Sequence, residues 1–178
     1  MSVLKINAIQ SISGKPLLNS TGNVIQMKYA TSGFVNQAIA SATPVALSGL
    51  SVSITPTSAS NAIIIMASVV ANYAYVSSVH VYRDGANLIA SHGGNTQTGG
   101  DRCIWTHYQS SQESDRENQV FCMPVIYRDL PGGTSTYTYA IYGNSGWNGG
   151  VQNTFRLNNR NNLDMLGSSY IVAYEVTQ

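Results

Sequence analysis

Trp147 is the residue whose type and surroundings best suit contact with something outside the protein. It stands in Gly143-Asn144-Ser145-Gly146-Trp147-Asn148-Gly149-Gly150, a stretch with almost nothing else apolar to bury an indole. An exposed indole between the Asn144 and Asn148 amides can stack on a sugar face while the amides bond to its hydroxyls. Its amphipathic ring is also a frequent hot-spot group. The opposing reading is an indole folded back over the end of a sandwich, or buried between subunits. Glu113, Asp115 and Glu117 share a second polar stretch with Arg116. Cleaving a glycosidic bond takes paired carboxyls about 5 to 9.5 Å apart. Three acids around an arginine read instead as a solvated charge cluster, so Glu113 and Asp115 enter as receptor contacts. No catalytic residue is expected.

Other chemistry finds little footing. The chain has no G-x-S-x-G, no Walker loop and no H-E-x-x-H. The glycines around Asn95 to Thr98 lack the strand–loop–helix setting of a phosphate cradle. His80, His92 and His107 show no ligand spacing, and Cys103 and Cys122 form no C-x-x-C, so no metal and no cofactor is expected. The two cysteines read as small buried free thiols, since a disulfide between them would need favourable register.

The elements that must hold these residues are strands. Of 178 residues 43% are hydrophobic, enough for a core, while only 10% are charged, against roughly 25% in an ordinary domain. Nine basic and eight acidic residues leave a net charge of +1, with a pI near 7.8. That excludes disorder by self-repulsion and a globally basic nucleic-acid binder. All the lysines (Lys5, Lys15, Lys28) lie in the first 28 residues, and no charged residue occurs between Tyr29 and Tyr82. Strand edges are usually blunted by charge, especially Lys. An uncharged stretch of strands therefore points to cover by another copy of the chain, and a homotrimer with part of Tyr29 to Tyr82 in its interface is expected. The plain alternative is a Ser/Thr-rich surface that lacks charge. The opening Met1 to Asn7 shows no basic segment followed by a long apolar run, so no signal peptide is expected. Ala62 to Val76, the most apolar stretch, is shorter than the ~20 residues of a membrane span, so no membrane insertion is expected.

Strand signals are dense from Val45 onward. Leu50, Val52 and Ile54 alternate with Ser51, Ser53 and Thr55 before Pro56. Ala62 to Ala71 is a nearly continuous apolar run, and Asp84-Gly85 between strand-like runs is a strong hairpin signal. Further runs follow at Leu88–Ser91, Cys103–Tyr108, Gln119–Tyr127, Ser135–Tyr142, Val151–Leu157 and Ser168–Thr177. This pattern predicts an all-β fold, an antiparallel, jelly-roll-like β-sandwich. Residues 1–28 read as a short N-terminal hairpin or arm for docking, 29–44 as a connector or edge strand, and 45–178 as the sandwich.

Two segments carry a resemblance. Leu4-Lys5-Ile6-Asn7-Ala8-Ile9-Gln10 with Gly14-Lys15 and Thr21-Gly22-Asn23-Val24-Ile25-Gln26 resembles the N-terminal motif of virion appendage proteins of marine bacteriophages. Gly49 to Ser58 followed by Asn61 to Val70 is similar to the first two strands of the tail-fibre-like β-sandwich in those proteins. Together they cover about a quarter of the chain. The resemblance implies a virion protein made in the host cytoplasm: a tail-fibre component attaching to host surface polysaccharide, trimeric, joined to other virion proteins through residues 1–28. A capsid decoration protein is the alternative, and a free lectin-like module a further one. If each connection reverses the chain, Thr55–Asn61, Asp84-Gly85, Gln109–Asn118 and Ser145–Gly150 share one end of the sandwich, and that end faces the host.

Overall fold

The computed structural model describes residues 22–72, 76–89, 105–108, 120–147, 150–151, 154–159 and 167–178. Among them every regular element is a strand: β1 (Val24–Gly33), β2 (Gln37–Ile39), β3 (Val45–Ile54), β4 (Ala62–Asn72), β5 (Val76–Arg83), β6 (Ala86–Asn87), β7 (Trp105–Tyr108), β8 (Val120–Asp129), β9 (Tyr137–Trp147), β10 (Gly150–Val151), β11 (Phe155–Leu157) and β12 (Ser169–Val176). The all-β antiparallel sandwich is as the residue pattern predicts.

Each of the two sheets has six strands, but several are collinear pieces of one lane. In the first sheet β12 and β11 run in the same direction along one edge of β4, and β1 and β2 pair with them in turn; β8 pairs with the other edge of β4. The lanes read β1/β2, β12/β11, β4, β8. In the second sheet β3 and β5 flank β9, β6 and β7 share the far edge of β5, and β10 folds back on the end of β9. Its lanes read β3, β9, β5, β6/β7. With the lanes numbered one to eight along the chain, the sheets are 1-8-3-6 and 2-7-4-5. That is the double-sheet order of a jelly roll.

The core lies between the sheets. Ile63, Ile65, Ala67, Val69 and Ala71 point inward from β4, Met123 and Val125 from β8, and Ile171 and Ala173 from β12. They meet Leu50, Val52 and Ile54 of β3, Val79 and Val81 of β5, and Tyr139 and Ile141 of β9. The period-2 alternation that hides Leu50, Val52 and Ile54 leaves Ser51 and Ser53 outside. Near one margin β1 crosses close over β3. Gly49 sits in a β3 irregularity at φ +76°, where a Cβ would stand 2.6 Å from the Ser32 Cα, so only glycine fits.

Three expectations need correction. Val24 to Lys28 does not belong to a separate arm, because β1 is hydrogen-bonded to β12 from Val24 to Gly33. Residues 1–21, which hold the rest of that segment, lie outside the described residues. Of the two readings of 29–44, the edge strand holds and the connector does not: the segment completes β1 and supplies β2, both at the margin of the first sheet. The loops also group differently at the two ends. Thr55–Asn61, Asp84-Gly85 and the β8–β9 turn share one end, since Ile54 pairs with Tyr137, Arg83 with Tyr139, and Ile63 with Asp129. Tyr108, Val120 and Trp147 sit at the other end. Strict alternation failed because β6 and β7, like β11 and β12, are one interrupted lane rather than two reversals.

Candidate interaction surfaces

The end that carries Trp147 brings some of the expected residues together. Trp147 closes β9 opposite Gly150, so Gly143 to Trp147 is strand and not loop. Asn144 is 1% exposed. Its Nδ2 donates to the Ala42 carbonyl at 2.9 Å, and its Oδ1 lies 3.1 Å from His80 Nε2, also buried. A buried amide satisfied on both sides is not offered to a sugar, which corrects the expectation for Asn144. Glu113, Asp115 and Asn148 lie outside the described residues. Tyr108 and Val120, which flank 109–119, are at this same end: Val76 pairs with Tyr108 and Asn72 with Val120.

The opposite end collects Asp84, Asp129 and Glu175, all the acids among the described residues. Asp84 and Gly85 both have positive φ (50° and 81°), as a type I′ hairpin turn requires. Asp84 Oδ1 also accepts from the Thr138 amide at 2.8 Å. Asp129 and Glu175 both face Ile63, one from each neighbouring strand. Asp129 Oδ2 accepts from Arg83 Nη1 and from the Tyr139 hydroxyl, each at 2.6 Å, tying β8 to the second sheet. Burial pushes the Tyr139 hydroxyl pKa up, and its bond to Asp129 pushes it further.

Glu175 is fully buried with no cation beside it among the described residues. Its carboxylate instead accepts from the Thr57 amide (2.6 Å), Thr57 Oγ1 (2.7 Å), Asn61 Nδ2 (2.6 Å) and Gln26 Nε2 (2.6 Å). Burial alone would raise its pKa. The donors from Asn61, Gln26 and Thr57 outweigh that and hold it at about 2, below the usual 4.5. This carboxylate staples residues 55–61 to β1 and β12. Both inward carboxylates are spent on the fold.

The broad faces of the sandwich differ sharply. Across the outside of the first sheet the register aligns Tyr29, Val172, Met66 and Ile126 in one row, with Met27, Tyr174, Ile64 and Arg128 beside it. A third row holds Thr31, Tyr170, Ser68 and Pro124. Ile126 is 69% exposed, Tyr29 59% and Met27 56%. Arg128 is the only charge in these rows, and its guanidinium donates to the Gln178 side chain. Cys122, paired with Val70, is an exposed free thiol beside Ser68 on this face, which corrects the expectation that it is buried. Cys103 lies outside the described residues.

The outside of the second sheet is hydroxylated. Ser53 and Thr138 bond through their hydroxyls at 2.9 Å, and Thr55 and Thr136 at 2.7 Å. Farther along, Tyr82 and Tyr142 stack at 3.8 Å.

Sequence reasoning missed Glu175 because a lone acid in a strand carries no signal of the loop donors that reach it. It missed the apolar face because an unbroken apolar run such as Ala62 to Ala71 reads as buried on both sides. The outward Met66, opposite Val172 and Ile126, is visible only once register is known. Among the described residues no group of three or more His, Cys, Asp or Glu side chains could hold a metal ion, and no helix is long and apolar enough to cross a membrane. No protein-family model and no curated protein sequence matches this chain.

Proposed function

We propose that this chain is a non-enzymatic structural protein of a bacteriophage particle: a homotrimeric tail-appendage component that touches host surface polysaccharide. The observation that carries the reading is the jelly-roll lane order combined with an apolar outer face on the first sheet. Jelly rolls recur in viral shells and in lectin domains, and an apolar face of this breadth suits a subunit of an assembly. The resemblance of Gly49–Ser58 and Asn61–Val70 to phage β-sandwiches agrees with it. The Trp147 end supports the adhesive part of the reading, because Trp147 and the strand ends flanking the segment of Glu113 and Asp115 lie together there.

Gold labelling of this chain on purified particles tests the reading. Label at the tail is expected, and Trp147→Ala should then reduce adsorption to cells with the fold intact. Label on the shell would replace it with capsid decoration. Particles without label would overturn it.

A further inference from the structure

We propose that the outer face of the first sheet is the surface through which copies of this chain pack together. This rests on the homotrimer in the proposed function and locates its contact.

Tyr29, Met27, Ile126, Tyr170 and Met66 are between 40% and 69% exposed on one flat face. Together they offer roughly 500 Å², near the upper range of the largest apolar patch on an ordinary monomer and a large share of the ~800 Å² per partner in a stable interface. Charge then selects the occupant. Among the described residues the face carries no acid and two cations, both away from its apolar centre: Arg128, engaged with Gln178, and Arg156 on β11, which alternates outward between the inward Phe155 and Leu157. A phosphate-rich or acidic partner would find two counter-charges at opposite ends of the face and none among its apolar rows, and a glycan would leave its hydroxyls over Met66 and Ile126 without donors or acceptors. An identical face or flank buries apolar side chains against apolar side chains with no charge stranded. The molecule also offers a second apolar patch next to the first: Phe34 (71% exposed) and Val35, just past the Gly33 end of β1. Two adjoining but different patches are what a closed ring of heterologous contacts uses.

Sedimentation velocity of the full chain at micromolar concentration tests this. Wild type should sediment as three 19.1 kDa chains, about 57 kDa. Met66→Lys with Ile126→Asp should sediment as a single chain with an unchanged circular dichroism spectrum, and the milder Ile126→Thr should weaken assembly at least tenfold. Ser51→Lys on the second sheet should leave the assembly intact. An assembly that survives the first-sheet variants but falls apart with Ser51→Lys overturns the location and leaves the oligomer standing. A monomeric wild type overturns both, and flotation of that monomer with phosphatidylcholine vesicles would assign the face to lipid.

Discussion

The outer faces of the two sheets are built on the same pleat and reach opposite chemistry. On the second sheet the outward positions include Ser51, Ser53, Thr136 and Thr138, with Ser53 bonded to Thr138 and Thr136 to Thr55, and the stacked Tyr82 and Tyr142 farther along. On the first, the outward row is Tyr29, Val172, Met66 and Ile126. Both sheets turn an apolar inner face to the shared core, so core packing does not account for the difference between their outer faces. A face that water alone would meet tolerates hydroxyls at almost no cost, whereas one that keeps Met and Ile outside needs a reason beyond the monomer. Low net charge makes that contrast sharper, because neither face is protected by like-charge repulsion.

The largest test of the contrast lies in two neighbours on β4. Ile65 points inward and is fully buried, while Met66 points outward and is 40% exposed. Ile65→Ala should cost about 3 to 4 kcal/mol in urea unfolding of the dissociated chain. Met66→Ala should cost less than about 1 kcal/mol there and show its effect in assembly instead. Equal costs would mean that Met66 is packed within the subunit.

A second test separates the inward polar group from the outward ones. Glu175→Gln removes the charge and sets its NH2 against the donors of one carboxylate oxygen, either Gln26 or the pair Asn61 and Thr57, so it should destabilise by about 3 kcal/mol, as loss of a buried charged acceptor does. The folded pKa is lowered from 4.5 to about 2. The carboxylate therefore stabilises the fold above about pH 4.5, and that contribution is lost as pH falls toward 2. Unfolding followed from pH 5 to 2 should show this acid loss in wild type and lack it in Glu175→Gln. An unchanged acid limb in the variant would remove Glu175 as the staple of residues 55–61.

The smallest effect belongs to the hydroxyl ladder. Ser53→Ala with Thr138→Ala removes one exposed hydrogen bond and should shift stability by about 0.5 kcal/mol or less, with assembly unchanged by light scattering. A loss of assembly in this variant would erase the distinction between the faces.

What the residues disclosed follows the range over which each signal acts. The Asp84-Gly85 hairpin is local chemistry, set by positive φ at adjacent positions, and was legible. So were β3 and β4, where alternation or an apolar run spans a whole strand. The lane order was not legible, because β11 and β12 are separate runs in sequence but one lane in space, held by the pairing of both to β4. Asn144 was misjudged for a related reason: in a Gly-rich run an amide reads as loop, yet here it lies in β9 and bonds His80 and Ala42 from distant parts of the chain. Likewise the 55–61 connection reads only as a polar turn, although Glu175 organises it from 114 positions beyond Asn61.

Cys122 gives the most direct measurement of the central claim, since its thiol lies on the apolar face opposite Val70. In a Cys103→Ser background, its alkylation by a maleimide can be followed across a dilution series and compared with the rate in urea. If copies cover this face, the thiol is slowed at least tenfold at high protein concentration and approaches the free rate on dilution. A thiol that reacts at the free rate at every concentration, in a folded protein, contradicts the account.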